Sequence, residues 1–156
     1  MQLIDIINKD LIQFDVEVAT KKKALQLIGD LFVAHDPSLD SKEIYHGLLD
    51  REKLGSTYVG YGIAIPHCKY PNLSEPLACL IRFKNYIDFS SSNIQKVNIV
   101  FSLILPDDDN NHIHINMLSK IASFIDDKKL RDKLNTAKNP EEVFDSINEY
   151  SKEYQF

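Results

Sequence analysis

Residues 51–67 read Arg51-Glu52-Lys53-Leu54-Gly55-Ser56-Thr57-Tyr58-Val59-Gly60-Tyr61-Gly62-Ile63-Ala64-Ile65-Pro66-His67. The stretch opens as the end of a helix, passes two spaced glycines and becomes a short apolar strand that stops at Pro66-His67. Gly60 and Gly62 permit turns or close approaches that a Cβ would block, and Pro66 forces Ile65 into an extended conformation. Because Pro66 has no N–H and a fixed φ, it cannot continue a central ladder, so His67 is expected where the strand leaves the core. A neutral imidazole has one basic nitrogen and one N–H. A backbone carbonyl accepting that N–H would fix the tautomer and leave the other nitrogen aimed outward as a nucleophile.

Upstream of this stretch, Phe14, Val16 and Val18 alternate with polar residues and predict a short strand. Thr20 can cap a helix running to about Ala34, with Ala24, Leu25, Ile28, Leu31 and Phe32 on one face; Lys21, Lys22 and Lys23 sit unfavourably at its positive end. Asp40 and Glu43 suit a capping box for a second helix, which turns Ile44 and Leu48 inward, carries Arg51 in its last turn and ends at Gly55.

Downstream, Leu77 to Phe83 has strand length, Tyr86 to Phe89 reads as a further extended piece, and Val97 to Leu105 reads as a strand buried on both faces. Asn110 or Asn111 can cap a helix with Ile115, Leu118, Ala122 and Ile125 on one stripe. Asp127 opens a shorter helix carrying Leu130 and Leu134, and Asn139-Pro140 a last one carrying Val143, Phe144 and Ile147. Helices and strands interspersed predict one α/β domain over residues 1–156, a mixed sheet with helices on both faces.

The chain of 156 residues is 44% hydrophobic, enough for one sizeable core. Its formal net charge of −5 argues against a general nucleic-acid or anionic-membrane surface, although a local basic patch stays open. Cys68 and Cys79 form no C-x-x-C pair and read as free thiols in a reducing compartment. The N-terminal residues, with Asp5 inside their apolar part, do not form a signal peptide, and Val97 to Leu105 is too short to span a bilayer. These features predict a cytoplasmic protein without direct membrane insertion.

Arg51-Glu52, Gly55-Ser56-Thr57 and the run from Gly60 to His67 together resemble the active-site segment of the type-2 EIIA domains of the bacterial phosphoenolpyruvate-dependent phosphotransferase system, the fructose, mannitol and nitrogen-regulatory group. The resemblance extends over most of the chain, whose length with no attached domain is most similar to the nitrogen-regulatory EIIA. Tyr58 departs from it, standing where that subgroup usually has glycine. The resemblance implies that His67 accepts a phosphoryl group as a tele-phosphohistidine from HPr or its nitrogen-branch equivalent. The group is then held as a signal for a regulatory target protein, or handed to an EIIB if the chain serves uptake of a sugar such as fructose or mannitol. No cofactor or metal is implied.

Taken alone, His67 is one loop histidine, and a solvated or structurally bonded ring is the commoner reading; the seventeen-residue match reverses that. His114 begins a helix similar to the one that follows the family's second histidine, which implies a role in phosphate stabilisation. On chemistry alone its ring can either donate to phosphate from a helix N-terminus or pack at the edge of an apolar stripe. Arg51 can present a planar fork to phosphate oxygens or answer the helix dipole as a solvated charge. Ser56 and Thr57 can donate hydroxyls to phosphate or satisfy loop backbone groups. Asp107, Asp108 and Asp109 read as a solvated loop.

Two rival classes remain at this stage. His112, His114, His67 and Cys68 supply enough ligands for a metal enzyme, though His-x-His is an extended-chain spacing and no His-Glu-x-x-His pattern occurs. A protein-binding regulator with an inert His67 is the other.

Overall fold

Two long apolar runs make the centre of the sheet in the computed structural model, which describes residues 1–90, 94–108 and 112–153. Strand β5 (Leu77–Asp88) and strand β6 (Lys96–Pro106) pair antiparallel, with Leu80 opposite Phe101 and Arg82 opposite Ile99. The extended pieces expected at 77–83 and 86–89 are therefore one strand, with a register shift between Arg82 and Ile87 where the sequence suggested a break. Strand β1 (Ile12–Val16) lies parallel to β5. It ends two residues short of the expected Val18, and Asp15, with a left-handed φ of 58°, shifts the register between Phe14 and Val16.

On the other side of β6 run β3 (Ile63–Ala64) and β4 (His67–Tyr70), with the short β2 (Tyr58–Gly60) antiparallel to β3. The sheet order is β1-β5-β6-β3-β2, and β4 also pairs with β6. Both β3 and β4 keep one parallel register on β6, Ile63 opposite Ile99 and His67 opposite Leu103. The strand thus does not stop at Pro66-His67, nor does it leave the core there. Pro66 withholds one ladder donor, but its carbonyl still accepts from Leu103 N–H at 3.0 Å and from the Ser102 hydroxyl at 2.7 Å, so the extended run continues to Tyr70.

Helices cover both faces, as the interspersed pattern predicts. On one face lie α1 (Lys21–His35) and α2 (Ser41–Lys53). Thr20 caps α1 through Lys23 N–H, and the helix buries Ala24, Leu25, Ile28 and Phe32. Asp40 caps α2 by accepting from Lys42 and Glu43 N–H, but its own N–H donates to the Tyr70 hydroxyl at 2.9 Å, not to Glu43 as a capping box would have it.

The other face carries α3 (Ile113–Asp126), α4 (Lys128–Thr136) and α5 (Pro140–Glu153). Phe124 of α3 meets Phe101 of β6 edge-on, and Arg82 reaches the carbonyls of Leu134 and Ala137. The buried stripe of α3 is Met117, Ile121, Phe124 and Ile125, whereas Ile115 is 64% exposed and Ala122 is exposed. Of the expected stripe, Ile125 is buried and Leu118 packs against the core, but Ile115 and Ala122 face outward. So many of the residues from 113 to 125 are apolar that two helical stripes fit the sequence, and packing against Phe101 selects one. The cap position is His112, with φ 54°; Asn110 and Asn111 lie outside the described residues. Asp127 and Asn139 accept from the N-terminal amides of α4 and α5 as expected. Among the described residues no helix is long and apolar enough to cross a membrane.

Candidate functional site

The site forms where the C-terminus of α2 and the N-terminus of α3 meet at β4. Alternation along β4 decides which side chains face it. Cys68 turns toward α2, so that a Cβ on Gly47 would lie 2.9 Å from its Sγ. His67, the preceding residue, turns the opposite way, toward α3. A four-ligand metal set would need those two side chains on one side, and the strand separates them. Burial also pushes the Cys68 thiol up to about 12, far from a ready thiolate ligand.

His67 is 9% exposed. Its Nδ1 stands 2.8 Å from the carbonyl oxygen of Ile65. A carbonyl only accepts, so Nδ1 carries the proton and the basic lone pair is on Nε2. The ring of His114, in the first turn of α3, packs 5.5 Å away between centroids at 59°. Desolvation by burial is the main force lowering the His67 pKa below its ordinary 6.5, and the charges of Arg51 and His114 add to it. The Ile65 carbonyl and Glu52 pull the other way without reversing it. The ring is thus neutral near pH 7.

The loop after α2 is held tightly. Gly55 takes φ +148°, and its carbonyl accepts from Arg51 Nη1 at 2.8 Å, which keeps the guanidinium folded over the loop. Ser56 Oγ accepts from Tyr58 N–H at 3.1 Å, an acceptor role that leaves its own proton unused by that bond. Thr57 is committed differently: its N–H donates to Glu52 Oε1 at 3.1 Å and its hydroxyl to Glu52 Oε2 at 2.6 Å. Neither sequence reading of Thr57 named this partner. To donate to a phosphate the hydroxyl would first have to leave a buried carboxylate. The Thr57 carbonyl accepts from Ile65 N–H at 3.0 Å, which ties the loop to the strand just before His67.

Tyr58 takes a strand position opposite Ala64, and the β2–β3 register shifts between it and Gly60. The turn that needs special backbone is Gly60-Tyr61-Gly62, with φ of 97°, 58° and 77°. Gly62 is close-fitted, since a Cβ there would stand 2.7 Å from Asn98 Oδ1. Tyr61 is held by Arg131, whose guanidinium lies 3.7 Å above its ring and also donates to the last carbonyls of α3.

Of the sequence candidates, His67, His114 and Arg51 come together, with Ser56 and Thr57 on the adjoining loop. His112 lies at the exposed α3 cap, Asp107 and Asp108 are exposed, and Asp109 is outside the described residues. Two residues were missed as contributors: Glu52, 8% exposed, and Lys21, whose Nζ reaches Glu52 Oε1 at 2.9 Å. A signal for Glu52 was present, because it continues the buried Ile44, Leu48 stripe at four-residue spacing and so puts a carboxylate where an apolar side chain is expected.

A mixed α/β domain with a buried, tautomer-fixed histidine facing a second histidine at a helix N-terminus is the class that fold and site define. Residues 5–150 match the family model described as "Phosphoenolpyruvate-dependent sugar phosphotransferase system, EIIA 2". The chain belongs to this family. It is 32% identical over 133 residues to the nitrogen regulatory protein of Pseudomonas aeruginosa, covering 85% of this chain and 86% of that one. The crystal structure of nitrogen regulatory protein IIA-Ntr from Neisseria meningitidis superposes with a TM-score of 0.84 at 30% identity, covering 93% of this chain and 98% of the other. A fructose-specific EIIABC component of Bacillus subtilis is 27% identical over 155 residues, 97% of this chain and 24% of that much longer protein.

Proposed function

We propose that this protein is a cytoplasmic phosphocarrier that takes a phosphoryl group on His67 from HPr or a nitrogen-branch equivalent and serves regulation through its phosphorylation state. The observation carrying the reading is the Nδ1 to Ile65 carbonyl bond, which leaves Nε2 as the one nucleophilic nitrogen of a neutral ring. In the transfer, the Nε2 lone pair forms the new N–P bond while the bond from phosphorus to the donor's imidazole breaks. That electron pair leaves with the donor nitrogen. His67 keeps its Nδ1 proton on Ile65, so no base is needed.

His114 and Arg51 serve by meeting charge on the equatorial oxygens of the phosphoryl group, and Ser56 has a hydroxyl proton to add. Thr57 would contribute by shaping the loop through Glu52. No cofactor enters. Identity to nitrogen regulatory proteins over most of both chains favours regulation, with a target protein as the partner that reads the phosphorylation state. The fructose-specific relative supports the alternative, an EIIA for sugar uptake that passes the group to an EIIB.

Incubation with phosphoenolpyruvate, the system's first enzyme and the carrier should add one phosphate to the wild type, seen by intact mass, and none to His67→Ala. The adduct should be lost in acid and survive alkali, because protonating a phosphoramidate makes imidazole a good leaving group. An acid-stable adduct, or one that persists in His67→Ala, would sink the reading.

A further inference from the structure

Lys21 opens α1 at the end where a positive charge is disfavoured, and it does not point into solvent as its exposed neighbours Lys22 and Lys23 do. Its Nζ meets Glu52 Oε1 at 2.9 Å and donates to the Phe89 carbonyl at 3.1 Å, while lying 4.6 Å from the centre of the Phe89 ring. The Glu52 side chain is only 3% exposed. A carboxylate buried to that degree persists only if it is paired and its oxygens are satisfied. Oε1 is shared by Lys21 and Thr57 N–H, and Oε2 takes the Thr57 hydroxyl.

We propose that Lys21 is a positioning residue for phosphoryl transfer: it fixes and neutralises the Glu52 carboxylate, which in turn grips Thr57 and sets the loop that carries Ser56 and the Arg51 tether. The proposal rests on His67 being the phosphoryl acceptor. Two effects follow from one ion pair. The first is geometric, since Glu52 holds both polar groups of Thr57, and the Thr57 carbonyl holds Ile65 N–H, one step from the carbonyl that orients His67. The second is electrostatic. An uncompensated carboxylate beside His67 would repel the incoming phosphoryl group, and Lys21 removes that repulsion.

The charged groups that act on His67 are Arg51 and Glu52 from α2 and His114 from α3, with Lys21 of α1 acting through Glu52. This gives a test that a merely structural part would not pass. Lys21→Met leaves Glu52 uncompensated and should move the His67 titration, followed by NMR of the imidazole, upward in pH. Glu52→Gln leaves Lys21 uncompensated and should move it downward. The rate of His67 phosphorylation in Lys21→Met should fall ~10-fold or more, by analogy with the loss of a group that orients a metal ligand, and Lys21→Arg should recover most of it.

A rate within twofold of wild type, a loss that Lys21→Arg does not recover or that tracks a lowered melting temperature, or titration shifts that are absent or of the same sign in both variants would overturn the proposal. If wild type takes up no phosphate at all, the functional reading fails separately, and the paired titration shifts alone decide whether Lys21 and Glu52 set the charge at His67.

Discussion

His67 Nδ1 lies 2.8 Å from the carbonyl oxygen of Ile65, two residues earlier in the chain. Pro66 makes so short a bridge possible, because it holds Ile65 extended and fixes its own φ, which brings the following side chain back over the preceding carbonyl. Most of the chemistry assigned to the site follows from this bond.

The first prediction concerns pH. Because burial, Arg51 and His114 together hold the His67 pKa below 6.5, an NMR titration of its ring should give a midpoint under that value. The sign for stability follows. The unfolded chain binds the proton first as pH falls, so the fold loses stability from about the unfolded value of 6.5 downward until the lower folded pKa is passed. His67→Gln should flatten that part of the stability profile. A midpoint above 6.5, or a slope unchanged in His67→Gln, would contradict the assignment.

His114 should act on rate and not on where the phosphate sits. Its ring packs beside His67 from the first turn of α3, on the same face as the buried Met117, Ile121, Phe124 and Ile125 stripe but one turn before it, at the helix start rather than at its packed centre. Losing one donor to a developing charge typically costs ~10²-fold. His114→Ala should therefore slow adduct formation about that much with the final adduct still on His67, and His114→Gln should recover part of the rate through its amide N–H. A time course with a parallel thermal melt checks both; an unaltered rate, or one that tracks unfolding, would return His114 to a packing role.

The hairpin before His67 gives a stability test. Gly60 and Gly62 both have φ in the region that disfavours L side chains, at 97° and 77°, which costs ~1–2 kcal/mol when a Cβ is added. Gly60 faces open space, whereas a Cβ on Gly62 would also meet Asn98 Oδ1 at 2.7 Å. Denaturant unfolding should rank Gly62→Ala clearly below Gly60→Ala, and Gly60→Ala below wild type. Equal losses would mean that Asn98 yields freely.

What could be read in the sequence divides along physical lines. Helix caps at Thr20, Asp40, Asp127 and Asn139 were legible because capping is local chemistry, and β6 was legible because its run is apolar on both faces. The path through Pro66 was not. A proline reads as a strand end, and only the partner strand reveals that one missing donor is tolerated while Leu103 and Ser102 hold its carbonyl. The phase of α3 and the link between Lys21 and Glu52 depend on what packs across the molecule, which periodicity does not carry. The meeting of His67 with His114 came from the family resemblance rather than from the spacing of residues along the chain.

The most direct measurement is which nitrogen of His67 bears the phosphate. Long-range ¹H–¹⁵N correlation spectra of the phosphorylated protein distinguish the two ring nitrogens. The Ile65 bond predicts phosphate on Nε2 with Nδ1 still protonated against the carbonyl. Phosphate on Nδ1 would require that bond to break before transfer and would contradict the account.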